Sequence, residues 1–143
     1  MRRRLVALLA LGGVFLATYL TLYKLGLIGT LACSIGECET VQTSRWATFL
    51  GLPVAAWGIG FYLLVFVLAL LWSESALSES RALGWTMAAL TGWGVLFSTW
   101  LTYLELYVIH AICTWCVVSA ILATVLFVVV LAERPWRSPE LAA

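Results

Sequence analysis

The chain has 143 residues, 64% hydrophobic and only 10% charged, with a formal net charge of +1. A soluble domain of this length cannot bury so large an apolar share, so lipid must be the solvent for most of it. There is no basic face, which excludes a nucleic-acid partner, and the length suits one membrane domain spanning residues 1–143.

Four uncharged runs follow in order: Leu5 to Tyr23, Pro53 to Trp72, Ala82 to Leu104 and Leu106 to Ala132. A spanning helix needs about 20 apolar residues. Backbone in lipid must satisfy its own hydrogen bonds, so each run should be helical. The expectation is an all-α integral membrane protein, a four-transmembrane-helix bundle with spans near 5–25, 53–72, 82–104 and 108–132. The opening "MRRRLVALLALGGVFLATYL" has a basic start and an apolar centre. It is long for a signal core, and no small-x-small cleavage site follows, so it reads as a retained span.

Lysine and arginine counts set the orientation. With the N-terminus in the cytoplasm, the inner side holds Arg2, Arg3, Arg4, Arg81, Arg134 and Arg137. The outer side holds only Lys24 and Arg45. Both termini are then cytoplasmic, "SESALSESR" is a short inner loop, and residues 26–52 form a long external loop. Within that loop, "TVQTSRWATFLG" puts Val41, Trp46, Phe49 and Leu50 on one helical face, as in a short amphipathic helix on the membrane surface. Gly51 would end that helix, and Pro53 suits the first turn of the next. In the third run, Gly84, Ala88 and Gly92 recur at intervals that let membrane helices approach closely.

Four cysteines remain: Cys33 and Cys38 in the external loop, Cys113 and Cys116 at the outer start of the last span. Charge counting therefore puts all four at one surface. Three readings compete. Two inert disulfides would suit an oxidising compartment, but a bridge across Cys113 and Cys116 closes almost no loop. Four thiolates could hold zinc. A redox reading fits Cys-x-x-Cys at a helix N-terminus, where amides and dipole favour a thiolate. Two dithiols on one side suit a relay by thiol–disulfide exchange, the loop pair reaching water and the span pair a lipid-soluble acceptor.

The ordered set "CSIGECETVQTSRW", "GLPVAAWGIGFY" and "HAICTWC" resembles the prokaryotic branch of the vitamin K epoxide reductase family. The resemblance implies a four-helix bundle enclosing a quinone, with a periplasmic thioredoxin-like, DsbA-like protein delivering electrons. By the family pattern, Cys33 exchanges with that protein, Cys38 passes electrons to Cys113, and Cys116 faces the quinone. Such relatives often carry the thioredoxin-like domain in the same chain; here the sequence ends at Ala143, so a separate partner is expected. A donor near about −120 mV needs an acceptor of higher potential, and a respiratory quinone, ubiquinone or menaquinone, meets that need. The implied location is the bacterial inner membrane. Members that reduce the epoxide carry an Asn early in helix two and a Tyr one turn after the second span cysteine. Here those places hold Val54 and Ala120, so plain quinone reduction is expected. A DsbB-type oxidase on another fold would do similar chemistry, but the Ser-Arg-Trp element speaks against it.

Quinone sites are apolar with few polar groups. Candidate walls are Trp57, Phe61, Trp93, Trp100, Tyr103 and Trp115, with Phe49 and Trp46 as a cap, although aromatics also serve as interfacial anchors. His110, one turn before Cys113, reads as a proton carrier or an interfacial anchor. Glu105 is placed to cap the turn between the last two spans, and Ser44 to hold the loop cysteines or cap a helix. No metal site is expected beside the redox reading.

Overall fold

A computed structural model describes residues 2–27, 45, 48–74 and 80–133. Among them are four long helices: α1 (Arg2–Lys24), α2 (Val54–Ser73), α3 (Arg81–Tyr103) and α4 (Thr114–Ala132). A two-stranded ladder, β1 (Thr48–Phe49) and β2 (Leu52–Pro53), precedes α2. A wide π turn, Leu104–Ile109, follows α3. By length and composition, α1, α2 and α4 are long and apolar enough to cross a membrane. The protein is a mostly helical membrane protein. The less apolar α3 carries Thr86, Thr91, Ser98, Thr99 and Thr102 among its glycines.

The packing inverts the pattern of a soluble protein. Large apolar side chains point outward, such as Leu8, Phe15 and Val128, as they must where lipid is the solvent. On α1 the inward face is built mostly of small ones. Val6, Ala10, Gly13, Ala17 and Leu20 recur at three- and four-residue steps and form the buried face of α1. Gly13 lies flat against the Tyr62 ring, where a Cβ would collide. α1 packs most extensively on α2, and α3 on α4, while α1 meets α4 and α2 meets α3 to close the ring. Hydroxyls inside the helices bond back one turn, as Thr21 does to the Ala17 carbonyl at 2.8 Å and Thr91 to Met87 at 2.7 Å. Among the described residues, every buried side-chain nitrogen and oxygen has a hydrogen-bond partner.

The two ends of the bundle differ. At one, Arg3 joins three helices: Nη1 donates to the Trp72 carbonyl at 2.8 Å, Nε to Glu133 at 3.3 Å, and the guanidinium lies 4.3 Å from the Trp72 ring centroid. Arg2 adds a bond to the Ala132 carbonyl at 3.0 Å. At the other end sit the last turn of α1, the β ladder, the π turn and the start of α4, where Leu20, Ala111 and Cys113 form a second buried cluster.

The expected surface helix is corrected where residues are described. Thr48 pairs with Pro53 and Phe49 with Leu52, antiparallel, around a two-residue turn. Leu50 (φ 54°) and Gly51 (φ 82°) are both left-handed, the backbone that matches hairpin twist. Gly51 therefore makes a hairpin corner, and Pro53 sits just before α2 rather than in its first turn. Val41 and Trp46 lie outside the described residues.

Candidate redox site and apolar cavity

Cys113 is the residue that starts α4. Its backbone is extended (φ −98°, ψ 116°) and its sulfur accepts from the Cys116 amide at 3.4 Å. A thiol thus stands where Ser or Asp would usually cap a helix, facing amides that favour negative charge. Cys113 is fully buried, and Cys116, one turn along, is half-buried. Tyr19, Tyr23, Ala55, Ile109 and Trp115 pack around the Cys113 cluster.

The route into this cap is unusual. After Tyr103 the helix widens into the π turn, and His110 closes it in the left-handed region (φ 58°). The Glu105 carbonyl accepts from the His110 and Ala111 amides, the latter at 3.0 Å. Its carboxylate turns inward and accepts from the Cys113 amide at 3.2 Å. Cys116 lies beside it on the same cavity surface. Glu105 is only 3% exposed, and burial holds its carboxyl above the usual carboxylate range while the bond from the Cys113 amide pulls it back. Glu105 does cap the turn, and it also adjoins the cysteine pair.

A cavity of about 640 Å³ opens beside Cys116. Its walls are apolar, with Phe49, Trp57, Phe61, Trp93 and Phe97 prominent. The polar groups at its surface are few: Glu105, Ser98, Thr102, and the pair Tyr62–Ser119, whose hydroxyls lie 2.8 Å apart. This size and lining fit a small apolar ligand. Trp57 ties the β ladder to this wall, donating from Nε1 to the Phe49 carbonyl at 3.0 Å and meeting the Phe49 ring edge-on at 6.1 Å. Val54 is also a wall, whereas Ala120 faces a separate, smaller hollow beside α3.

Trp57, Phe61, Phe49 and Cys116 thus meet around one space. Trp115 does not join them: it turns towards α1 and meets Tyr19 edge-on at 5.6 Å, so it is corrected from wall to packing residue. Trp100 and Tyr103 stack on each other at 5.8 Å, away from the cavity. His110 is exposed and occupies the corner of the turn. Cys33, Cys38, Ser44 and Trp46 lie outside the described residues. Sequence reasoning passed over Tyr62 and Ser119. The signal for Ser119 was its place three residues after Cys116, on the same helical face.

Residues 4–131 match the sequence profile of the vitamin K epoxide reductase family. That match covers nearly the whole chain, and a pair of cysteines at a helix start beside an apolar cavity suits a membrane oxidoreductase. The chain therefore belongs to the vitamin K epoxide reductase family.

Proposed function

We propose that the protein is a quinone-dependent thiol:disulfide oxidoreductase of the bacterial plasma membrane. In this reading α1 to α4 all span, and the dithiol end faces away from the cytoplasm. A thioredoxin-like protein there reduces Cys33 and Cys38, which pass the electron pair to Cys113 and Cys116. The bound quinone supplies a sink for two electrons and two protons. The observation that carries this reading is the Cys113/Cys116 pair at a helix start, with Cys116 lining an apolar cavity of about 640 Å³.

The chain's own residues divide the work. Oxidation of the pair breaks two S–H bonds and makes one Sγ–Sγ bond. Cys113, at the amide-rich helix start, is suited to carry negative charge during exchange. Cys116, nearer the cavity, is suited to face the acceptor. Trp57, Phe61 and Trp93 exclude water from that contact and orient a flat ring. Val54 and Ala120 offer no side-chain hydrogen bond to an epoxide oxygen, which favours quinone reduction.

The test mixes purified protein, a reduced thioredoxin-like protein and a short-tailed quinone, and follows quinone absorbance. Wild type reduces the quinone and Cys116→Ala does not. Equal rates for the two would overturn the reading.

A further inference from the structure

We infer that Glu105 is the proton acceptor of the Cys113/Cys116 couple, taking up the Cys116 proton when the dithiol becomes a disulfide. The inference rests on the reading of that dithiol as redox-active. Three observations support it. Carboxylates are almost never fully buried unless paired, and Glu105 is 3% exposed. Among the described residues, the ion pair is Arg3–Glu133 at the far end, and none involves Glu105. Its carboxylate accepts from the Cys113 amide at 3.2 Å, and it shares the cavity surface with the Cys116 thiol. The wide turn that aims it inward is a feature common at functional sites.

A purely structural cap would need only an acceptor for the Cys113 amide. A neutral amide oxygen would serve as well. The neighbouring thiol is what sets Glu105 apart. In the dithiol state, the Cys113 N–H and the neighbouring Cys116 S–H are both available to a charged carboxylate. On oxidation both S–H bonds break, the Sγ–Sγ bond forms, and the electron pair leaves for the quinone-class acceptor. The carboxylate has then lost one of its two available donors while its burial is unchanged. Of the two released protons, one is held on Glu105 until the dithiol re-forms and the other goes with the electrons to the acceptor, whose second proton comes from water. The carboxyl thus holds its proton more tightly in the disulfide state than in the dithiol state.

By linkage, the number of protons exchanged per disulfide then varies with pH. It is two below both carboxyl pKa values, one between them, and two again above. The other titratable groups near Glu105 are Cys113 and Cys116 on α4, Tyr62 on α2, Tyr19 and Tyr23 on α1, and Tyr103, Tyr107 and His110 on its own segment. His110 is exposed, and it is the one further group to be separated by mutation.

The experiment uses quinone-free protein with Cys33→Ser and Cys38→Ser, so that a single couple remains. It is equilibrated with dithiothreitol redox buffers over a pH series, and the slope of midpoint potential against pH counts protons. The expected count falls from two to one over a pH window. It stays at two throughout in Glu105→Gln, which keeps an acceptor for the Cys113 amide, and the window persists in His110→Asn. A count of two at every pH in the parent protein would overturn the proposal without need of any variant. So would a window that follows His110 instead of Glu105. With the loop cysteines restored, Glu105→Gln should slow quinone reduction by about 10²- to 10⁴-fold while leaving exchange at Cys33 and Cys38 intact. If quinone reduction needs Cys116 but the proton count ignores Glu105, this inference fails and the proposed function stands. If the count follows Glu105 but no quinone is reduced, the reverse holds.

Discussion

Gly94→Ala tests whether α3 and α2 touch where they must to shape the cavity. A Cβ at Gly94 would collide with Phe61 Cζ and lie 2.9 Å from Cε2 and 3.1 Å from Cε1. Carbons pack at about 3.5–4.0 Å, so the ring would have to recede by about 1 Å. Phe61 lines the cavity and meets the Tyr62 ring edge-on at 5.1 Å, so a shift of its ring reshapes the cavity wall. Overpacking costs about 1–3 kcal/mol, and the gain in helix propensity from Gly to Ala returns about 1 kcal/mol. The expected net loss is about 1 kcal/mol, with an upper bound of about 2 kcal/mol. The displaced ring also disturbs the cavity, which raises the apparent KM for quinone about 3- to 10-fold if half or more of that energy is felt by the ligand. Unfolding in mixed detergent micelles reads the first effect, and steady-state quinone reduction the second. Gly12→Ala is the control, because nothing lies within 4 Å of its Cβ. Adding Phe61→Leu to Gly94→Ala should restore part of the stability. A Gly94→Ala protein with wild-type stability and unchanged KM would refute the packing argument.

Three further outcomes follow. Removing Arg3 (Arg3→Ala) should destabilise the protein by about 1–3 kcal/mol through loss of a carbonyl hydrogen bond, an ion pair and a ring contact. A double-mutant cycle with Glu133→Gln should assign at most about 1 kcal/mol of that to the partly exposed ion pair. Leu50→Asn should stabilise the hairpin by about 1 kcal/mol, since Leu50 is exposed and left-handed and Asn-Gly is the preferred pair for this turn; an unchanged thermal midpoint would count against the turn geometry. The raised carboxyl of Glu105 gives a pH dependence with a fixed sign. Its contribution is full below the ordinary carboxylate pKa of about 4.3 and is lost as pH rises through the higher folded value. The melting temperature of the reduced protein should therefore fall as pH rises through that window, and Glu105→Gln should abolish the fall.

Sequence and structure agree most where one strong signal acts alone. The long apolar runs are helices because lipid leaves a backbone no other way to satisfy itself. Cys113 and Cys116 belong to a helix start, and the sequence places them there through the onset of an unbroken apolar run. The failures come from tertiary contacts and backbone geometry. Leu50 has no sequence mark of a left-handed residue; Asn or Gly there would have announced the hairpin. The π turn hides within "LELYVIH" because its apolar residues read as continuing helix. That turn decides the direction of Glu105, so its cap role could be read and its place beside the Cys116 thiol could not. Trp115 and Trp57 have equal claims by composition. Only the rotation of α4, fixed by packing against α1, sends Trp115 towards Tyr19.

The walls of the cavity include Trp57, Leu64 and Trp93, each also presented to the outside of the bundle between α2 and α3. A space bounded in this way communicates with the hydrocarbon sideways. An oily reactant would arrive by gliding in the plane of the sheet of lipid, and its encounter rate would scale with molecules per unit area of leaflet. Diluting the protein with extra lipid at fixed total reactant should then slow turnover, even though nothing in the surrounding water has changed.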